Sequence, residues 1–477
     1  MNPVRVRFAP SPTGFLHIGG LRTALYDYLF ARHSGGTFIL RIEDTDRNRL
    51  VEGAVENLIA SLGRLGIEID EGPGIGGDFG PYVQSERLEL YHREAQRLLD
   101  SGHAYRCFCT PETLAQMREE QQRKGEFVKY DRRCLSLSEE EVKARLANNE
   151  PHVVRLKMPD NRVFSFNDII RGDVEMDAAQ SDDQVLVKSD GFPTYHLAAV
   201  VDDHYMQISN VIRGEEWLSS TPKHIWLYEC LGWKAPLWVH LPLILNPDRS
   251  KLSKRMNDVS VESYLQKGYL KEALINFVAL LGWHGADDRE TYSLKELCEE
   301  FTLERVSKSG AVFDLTKLDW MNGWYLRNLP LEEVVESSLP WFEEEKLPLP
   351  DSLTLSRIVA AARERCTLLP EIAQYAKMFL CPAELGPDDG AFLQSEDSRR
   401  VLRWFQSQLP PDGEIDAASL DAIVKSGMAE LGLKGKAYYT PLRLALIHQQ
   451  HGPDLPTTFA ILGLEEVHRR LAAAIRD

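Results

Sequence analysis

The first 42 residues hold a strand, a turn, a helix and a second strand, and this unit constrains the fold more than any other stretch. Apolar and charged side chains alternate over residues 4–8 as in a β-strand. A helical pattern runs from about Leu16 to the glycines at 35–36, and the apolar run at 37–42 predicts the next strand. Strands joined through a helix are parallel neighbours, so the unit predicts an α/β fold with a parallel sheet.

The turn of this unit places His17, Gly19 and Gly20 at the N-terminus of the predicted helix. A helix N-terminus offers backbone N–H groups and a partial positive charge to an anion. Glycines there let a ligand approach the backbone closely. The turn therefore predicts a site for a phosphate-sized anion.

Composition narrows the class of protein. A chain of 477 residues needs several domains. It contains no apolar run of about 18 residues and no apolar N-terminal core, so we expect neither a membrane span nor a signal peptide. Seven cysteines without regular spacing indicate a reducing compartment rather than a disulfide framework. The net charge of −17 argues mildly against a nucleic-acid partner, although a local basic face can coexist with an acidic remainder.

The pattern changes at several points along the chain. Strand and helix patterns alternate through residue 106 and again over 187–255, whereas 107–186 combines a polar helix at 111–124 with short strands and reads as an insertion. Apolar runs that end at Asp202-Asp203 and at 213–216 predict ligand contacts, because ligands bind at the carboxyl ends of parallel strands. From residue 256 onward the pattern is mostly helical, and past Pro330 helical periodicity dominates and predicts an all-α C-terminal region.

Two motifs carry a family resemblance. His-Ile-Gly-Gly at 17–20 and Lys-Leu-Ser-Lys-Arg at 251–255 resemble the two signature motifs of the class I aminoacyl-tRNA synthetases. Further stretches resemble the bacterial glutamyl-tRNA synthetases in particular, namely 7–14, 41–46, 195–197 and 211–216. The fourth position of the first motif, Gly20, departs from the histidine of the class pattern, at a place that varies within this family.

The resemblance implies a fold and an activity. We expect a Rossmann-type catalytic domain with an α+β insertion, followed by an all-α anticodon-binding region. The implied activity is ATP-dependent conversion of L-glutamate to glutamyl-adenylate, with Mg²⁺ accompanying ATP, and transfer to the 2′-hydroxyl of the terminal adenosine of tRNA(Glu). A cytoplasmic monomer that needs bound tRNA for activation is expected. The implied domains are catalytic (1–106 and 187–255), acceptor-end-binding (107–186), stem-contact (256–325) and two anticodon-binding subdomains (326–380 and 381–477).

The resemblance also assigns site residues, and their chemistry suits the assignment. Donors aimed at the α-phosphate stabilise the charge of the transition state, and a guanidinium can hold a carboxylate through two parallel hydrogen bonds. The implied catalytic residues are His17, Lys251 and Lys254. The implied ATP site comprises His17, Gly19, Gly20, Glu216, Lys251, Leu252, Ser253, Lys254 and Arg255. The implied glutamate site comprises Arg7, Ala9, Ser11, Glu43, Tyr195 and Arg213, with Glu43 receiving the α-amino group.

Two further assignments leave alternatives open. Cys107, Cys109 and Cys134 match a zinc motif of some bacterial members, but Ser136 replaces the histidine that would be the fourth ligand. A zinc site completed by Tyr130 or Asp131 and a vestigial site both remain open. In the helical region, Arg363 and Arg365 lie near an arginine that reads the anticodon in the family, and the alternative is a pair of solvated helix arginines.

Other functions of related proteins agree less well with this sequence. A glutaminyl-tRNA synthetase would read its anticodon with β-barrels, which the helical periodicity after Pro330 argues against. A tRNA-modifying glutamyl transferase lacks the C-terminal third, which is present in this chain. A catalytically silent tRNA-binding protein would not need His17, Lys251 and Lys254. A non-discriminating ligase that also charges tRNA(Gln) stays open.

Overall fold

The computed structural model describes residues 3–252 and 260–476. The chain forms two compact units, the first from Met1–Ser263 and Ile275–Asp314 and the second from Tyr264–Leu274 and Leu315–Asp477. The predicted ligands Ser253, Lys254 and Arg255 lie outside the described residues. Among the described helices, none is both long and apolar enough to cross a membrane.

The strands lie in the first unit. They are β1 (Arg5–Phe8), β2 (Thr37–Leu40), β3 (Ala104–Cys107), β4 (Val153–Leu156), β5 (Val163–Asp168), β6 (Gly172–Asp177), β7 (Val185–Val187), β8 (Asn210–Gly214), β9 (Leu237–Leu241), β10 (Ile244–Leu245) and β11 (Ala311–Val312). The helices up to the last strand are α1 (Ile18–His33), α2 (Ala54–Arg64), α3 (Leu88–Asp100), α4 (Pro111–Lys124), α5 (Glu139–Ala147), α6 (Tyr195–Tyr205), α7 (Thr221–Cys230), α8 (Val261–Gln266), α9 (Lys271–Ala279) and α10 (Leu294–Glu300). The remaining helices are α11 (Leu315–Asn328), α12 (Leu331–Glu344), α13 (Ser352–Arg363), α14 (Leu369–Leu380), α15 (Pro387–Leu393), α16 (Glu396–Gln408), α17 (Ala417–Leu431), α18 (Lys436–Ile447) and α19 (Leu455–Arg476).

The N-terminal strand–helix–strand unit forms as predicted. β1 and β2 pair in parallel from Arg5 opposite Thr37 to Phe8 opposite Leu40. The return from α1 to β2 needs glycine, because a β-carbon at position 36 would come within 2.4 Å of the Val4 carbonyl oxygen. The close approach lets β2 start beside β1, and this pair brings the start of α1 to the carboxyl ends of both strands.

The parallel arrangement continues through three more strands. β8 pairs with β9 in parallel, and β5 joins β9 in parallel at Asp168 opposite Trp238. The backbone N–H of Ser209, just before β8, donates to the Arg5 carbonyl at 2.9 Å and links this group to β1. The predicted parallel α/β sheet is confirmed, with β6 as an antiparallel partner of β5.

The segment between residues 104 and 187 builds a small sheet of its own. β4 pairs antiparallel with both β3 and β7, and the polar helix expected at 111–124 is α4. The predicted domain boundaries at 106/107 and 186/187 fall inside β3 and β7, since both strands belong to this sheet. This segment belongs to the same compact unit as the parallel sheet, and the finer domain boundaries stay a prediction.

One local expectation differs from the structure. The apolar run ending at Asp202-Asp203 was expected to be a strand end, but it lies in helix α6, which begins at Tyr195. Leu197 to Asp203 are all buried on this helix. A continuous apolar run fits a buried helix as well as a buried strand, and periodicity alone does not separate the two.

The second unit is helical over its described residues, which confirms the all-α expectation for the C-terminal region. Proline occurs inside two of its helices, at Pro340 and Pro441. α19 is interrupted at Gly463, whose φ of 74° and ψ of 158° lie in a region that is nearly restricted to glycine. The interruption divides α19 into two helical segments.

Candidate active site

A cavity of about 1210 Å³ lies in the first unit at the carboxyl ends of β1 and β8. Every predicted catalytic, ATP and glutamate residue in the described part of the chain lines it. These residues are Arg7, Ala9, Ser11, His17, Gly19, Gly20, Glu43, Tyr195, Arg213, Glu216, Lys251 and Leu252. Residues separated by more than 200 positions in the sequence thus share one site.

The helix-start side of the cavity is arranged around an imidazole. His17 caps α1, and its Nδ1 accepts a hydrogen bond from the backbone N–H of Gly20 at 3.0 Å. In the neutral ring, the proton therefore lies on Nε2, the atom that can donate to an anion. The sequence suggested that the Gly20 N–H itself would face phosphate; in this arrangement it orients His17 instead.

Glycine at positions 19 and 20 keeps space beside that ring. A β-carbon at position 19 would lie 3.2 Å from two ring atoms of His17. At position 20 it would lie 3.2 Å from Leu16 Cδ1 and 3.7 Å from His17 Cε1. A β-carbon at position 20 would therefore press on the end of the Leu16 side chain but make only an ordinary contact with the imidazole.

The opposite wall carries Lys251 and the turn that precedes it. Lys251 forms an antiparallel bridge with Leu245, and the Leu252 N–H donates to the Ile244 carbonyl at 2.9 Å. The backbone of this turn is thus tied to β10, while the Lys251 side chain is exposed. Lys251 thus brings a cation to the same cavity that His17 lines.

The amino-acid side of the cavity rests on a buried network of charges. Arg7 donates to Asp203 through Nε at 2.9 Å and Nη2 at 3.3 Å, and through Nη1 to the Ile212 carbonyl at 3.3 Å. Arg41, which is fully buried, donates to Asp203 Oδ1 at 2.7 Å and to Glu43 Oε1 at 3.1 Å. Burial opposes ionisation of Asp203, but Arg7 and Arg41 outweigh it and lower its pKa. Asp203 therefore stays charged and already balances much of the charge of Arg7.

Glu43 differs from Asp203 in its protonation. Burial raises its pKa to about 7, against the opposing effects of Arg41 and Arg7. Its carboxylate is 7% exposed and faces the cavity. A carboxyl group with a pKa near neutrality, at the edge of a cavity, suits pairing with an ammonium group that supplies the missing positive charge.

Arg213 is a third buried arginine on this side of the cavity, at 5% exposure. Its Nη1 donates to the Tyr195 hydroxyl oxygen at 3.1 Å, so the proton of that hydroxyl can point to another acceptor. The Tyr195 ring packs against Trp217 with a centroid distance of 4.1 Å. Burial raises the pKa of Tyr195, which keeps the hydroxyl a donor.

Sequence reasoning missed the residues that support this wall. Arg41 stood in a quoted motif without a role, and Asp203 was read as a strand end. Two adjacent acids that close an apolar run were the available signal for Asp203, since buried carboxylates need cationic partners. His224 and His240, which contact Arg213, had no sequence signal, because strand and helix pairing brings them together.

The three cysteines of the insertion also come together. The Sγ atoms of Cys107, Cys109 and Cys134 lie within 4.8 Å of one another, with Cys109 and Cys134 at 3.6 Å. The Tyr130 hydroxyl lies 3.2 Å from Cys107 Sγ and 3.5 Å from Cys109 Sγ. Ser136 instead donates to the Arg133 carbonyl at 2.9 Å. Thiolates around tetrahedral zinc are about 3.7 Å apart, given Zn–S bonds of about 2.3 Å, so the three thiols are compatible with a zinc ion.

The two predicted anticodon arginines differ in environment. Arg363, the last residue of α13, is partly buried and donates to the Leu329 carbonyl at 3.1 Å. Arg365 follows the helix and is exposed. Of the pair, Arg365 is the more exposed and is better placed for an RNA contact.

Comparison with known families agrees with this arrangement of domains. Residues 3–320 match the family model described as class I tRNA synthetases (E and Q), catalytic domain. Residues 333–475 match the model of an anticodon binding domain. A catalytic sheet followed by a helical anticodon-binding region defines the chain as a class I tRNA synthetase of the group that handles glutamate and glutamine.

Relatives over the full length narrow the family. The chain is 46% identical to a glutamate–tRNA ligase of Alkaliphilus metalliredigens, over 99% of this chain and 98% of the relative. It is 44% identical to one of Clostridioides difficile, over 98% of each chain. The crystal structure of a glutamate tRNA ligase from Elizabethkingia meningosepticum, in complex with its amino acid, aligns with a TM-score of 0.91 at 40% identity, over 100% of this chain and 99% of that one. The chain belongs to the glutamate–tRNA ligase family.

Proposed function

We propose that this chain is a glutamate–tRNA ligase whose cavity performs both steps of the reaction. L-glutamate and ATP, with Mg²⁺ as part of the nucleotide substrate, react to glutamyl-adenylate and pyrophosphate. The glutamyl group then passes to the 2′-hydroxyl of the 3′-terminal adenosine of tRNA(Glu). The observation that carries the proposal is one cavity lined both by His17 and Lys251 and by the buried arginines Arg7 and Arg213.

The phosphate side supports adenylate formation. When an α-carboxylate oxygen of glutamate attacks the α-phosphate, negative charge grows on the phosphate oxygens and pyrophosphate leaves. His17 Nε2 and the Lys251 ammonium are the described donors that meet this charge, and removal of one such donor typically costs about 10²–10³ in rate. Gly19, Gly20, Leu252 and Glu216 complete the described ATP wall. Ser253, Lys254 and Arg255 are assigned to it by the family motif.

The amino-acid side supports selection of glutamate. Glu43 pairs with the α-ammonium group, and Ala9 and Ser11 lie beside it. The positive charge of Arg213 and the Tyr195 hydroxyl meet the side-chain carboxylate. Arg7, whose charge is shared with Asp203, contributes less. Glutamine would leave the buried charge of this pocket unbalanced, and mismatches of that kind reach roughly 10⁴–10⁵ in discrimination.

Charging of purified tRNA(Glu) and tRNA(Gln) with labelled glutamate tests the proposal. We expect tRNA(Glu) to be charged, and pyrophosphate exchange with glutamate to stay near background until tRNA(Glu) is added. Lys251→Ala should lower kcat by about 10²-fold while the Kd for tRNA changes little, since its ammonium acts on the reacting phosphate. Failure to charge tRNA(Glu) would refute the function. Charging of tRNA(Gln) in the same assay would identify a non-discriminating ligase.

Zinc is the proposed occupant of the cysteine cluster in the insertion. Cys107, Cys109, Cys134 and Tyr130 would hold the ion, which would supply structural cross-linking there and take no part in the reaction. We expect about one zinc ion per chain by elemental analysis, and its loss together with lower thermal stability in Cys109→Ser. Ser136→Ala is the matched control and should retain the metal. Zinc-free protein of unchanged stability would indicate a vestigial site.

The remaining assignments follow the family. We propose tRNA contacts by the insertion and the helical region, with Arg365 at the anticodon and Arg363 as a support of the helical unit. A monomer acting in the cytoplasm is proposed as well. Elution of the purified chain at the mass of one copy, 54.2 kDa, would agree with the monomer.

A further inference from the structure

The surroundings of Arg213 are unusual for a buried arginine. All of its hydrogen-bond acceptors in the described structure are neutral, and no carboxylate of the described chain forms an ion pair with it. Five bonds employ the five N–H donors of the guanidinium. The acceptors are His240 Nε2 (3.1 Å), the Tyr195 hydroxyl (3.1 Å), His224 Nδ1 (3.0 Å), Thr221 Oγ1 (3.0 Å) and the Trp217 carbonyl (3.3 Å).

Burial of a guanidinium without an anionic partner costs folding free energy. In a binding site, such an uncompensated charge can attract an anionic ligand. Arg7 offers the contrast within the same cavity, because Asp203 contacts it directly at 2.9 Å. The surroundings of Arg213 thus fix its orientation without cancelling its charge.

His240 provides one of these neutral contacts, and a carboxylate stands behind it. Its Nδ1 lies 2.7 Å from Asp168 Oδ2, and both side chains are fully buried. Since a guanidinium can only donate and a carboxylate accepts, the ring carries its proton on Nδ1 and accepts at Nε2. Burial lowers the pKa of His240, and Arg213 lowers it further, so the ring stays neutral although Asp168 acts in the opposite direction.

Asp168 is itself held by the backbone. Its Oδ1 accepts from the N–H groups of Ile170 at 3.0 Å and Arg171 at 2.9 Å, and its Oδ2 also accepts from the His240 N–H at 3.1 Å. With the imidazole, four N–H groups orient one carboxylate. The orientation of the imidazole, and through it of Arg213, is therefore set by the fold.

The strand order explains how these side chains meet. Arg213 on β8 stands opposite His240 on β9, and Asp168 ends β5, the next parallel strand. The chain Asp168–His240–Arg213 thus crosses three adjacent strands near their carboxyl ends. β5 comes from the segment at 107–186, so a strand of the predicted insertion supports the wall of the catalytic cavity.

A second neutral histidine contacts Arg213 from α7. His224 Nδ1 accepts from Arg213, so its Nε2 carries the proton and donates to His196 Nδ1 at 3.0 Å. Burial lowers the pKa of His196 to about 3 and that of His224 well below its usual range. A histidine cation beside Arg213 is thereby avoided on this side too.

We propose that Asp168 and His240 are positioning residues for glutamate selection, which hold Arg213 in a fixed orientation with its charge open to the side-chain carboxylate of the substrate. The inference rests on the proposed attraction between the charge of Arg213 and the side-chain carboxylate of glutamate. Because all five N–H donors of Arg213 are engaged, the hydrogen bond to that carboxylate comes from the Tyr195 hydroxyl, which accepts from Arg213. The carboxylate of Asp168 is separated from Arg213 by one imidazole. Asp168 therefore orients His240, and His240 orients Arg213, through directional hydrogen bonds. A direct ion pair between Asp168 and Arg213 would instead compete with the substrate for the charge of Arg213.

Asp168→Asn tests the carboxylate without changing the shape of the side chain. In Asp168 each carboxylate oxygen accepts from two N–H groups, but an amide has only one acceptor oxygen. Two of the four N–H groups would therefore face the NH₂ group of asparagine, and where these are the two of His240 its ring would turn or change tautomer. At saturating ATP and tRNA, we expect the KM for glutamate to rise about tenfold or more while kcat stays within about threefold, as for a lost ground-state contact. Asp183→Asn is the matched control, because Asp183 is an equally buried carboxylate in the same segment that contacts Tyr105 and Arg132 instead.

The histidine is tested with a conservative and a non-conservative variant. His240→Gln can accept from Arg213 and donate to Asp168, whereas His240→Leu can do neither. We expect the glutamine variant to keep the KM for glutamate within about threefold and the leucine variant to raise it about tenfold or more. The inhibition constant of glutamine, measured as a competitor, should change less than about twofold in each variant, because a neutral side chain does not use the charge of Arg213.

Three results would overturn the inference while wild-type protein charges tRNA(Glu). They are an unchanged KM in Asp168→Asn, equal losses in the two His240 variants, and parallel weakening of glutamate and glutamine binding as in a general structural defect. If His240→Leu does not fold, Asp168→Asn against Asp183→Asn decides alone. A wild-type chain that charges no tRNA would refute the proposed function instead, so the two failures are distinguishable.

Discussion

At the scale of single residues, Glu43 shows how burial can prepare a site for one ligand. Its carboxyl group sits between Arg41, which favours the charged form, and a low-dielectric environment, which disfavours it more strongly. The resulting pKa of about 7 leaves the group neutral in acid and charged above neutrality. Only the charged form can pair with the α-ammonium of an amino acid.

A pH dependence of glutamate binding follows from this pKa. Because Glu43 is protonated below pH of about 7, we expect the KM for glutamate to fall as the pH rises from about 6 to 8. Glu43→Gln should raise the KM about tenfold or more and remove this dependence, since the amide has no charge to lose. Steady-state charging at several pH values measures both effects. The KM for ATP, followed in parallel, should not share the dependence. A wild-type KM that is flat across this range would contradict the assignment.

At the scale of elements, the end of helix α13 gives different environments to two arginines that the family resemblance assigns to the same role. α13 ends at Arg363, which bonds the Leu329 carbonyl, while Arg365 lies two residues further on and is exposed. The Nε of Arg363 is buried as well. The contact of Arg363 therefore supports the helical unit, and Arg365 is the better candidate for an RNA contact.

The two arginines should respond differently to the same substitution. Arg365→Gln is expected to weaken tRNA(Glu) binding about three- to tenfold without a change in stability, because an exposed cation that contacts RNA is lost. Arg363→Gln should lower the free energy of unfolding by about 1–3 kcal/mol, because a partly buried carbonyl loses its charged donor. Filter binding and chemical denaturation measure the two quantities, and each variant is the control for the other. Interchanged results would show that the roles are reversed.

At the scale of the whole molecule, the net charge of −17 has to be reconciled with a polyanionic partner. Acidic residues exceed basic ones by 72 to 55 over the chain, yet several arginines around the cavity are held in buried networks. Recognition of tRNA then depends on local cations that are matched to phosphates rather than on an overall attraction. The overall charge would also disfavour binding to unrelated nucleic acids.

Salt dependence tests this view of the partner. Phosphate contacts release counterions, so we expect the affinity for tRNA(Glu) to fall about tenfold or more between roughly 50 and 200 mM monovalent salt. Arg365→Gln should make the logarithmic slope shallower by about 1, as for the loss of one phosphate contact. The KM for glutamate, which depends on a largely buried pocket, should vary much less. Affinity for tRNA that is insensitive to salt would exclude a phosphate-contacting face.

The sequence by itself determined the elements and the chemistry near each motif. The strand–turn–helix–strand pattern of residues 4–42, the polar helix at 111–124 and the helical C-terminal region follow local periodicity and glycine positions, and all are present. His17 and Lys251 were identified from their motifs and line one cavity. Such features depend on neighbours within a few turns of the chain, which the sequence shows directly.

Only the tertiary structure decided which side chains support the site. Asp203 came from a buried helix rather than a strand end, and Asp168, His224 and His240 reach Arg213 only through the pairing of β5, β9 and β8 and the packing of α7. The sequence also did not show that Arg7 forms an ion pair whereas Arg213 has only neutral acceptors in the described structure. The charge and pKa of a buried group depend on neighbours that are distant in the sequence, and these contacts exist only once the sheet has formed.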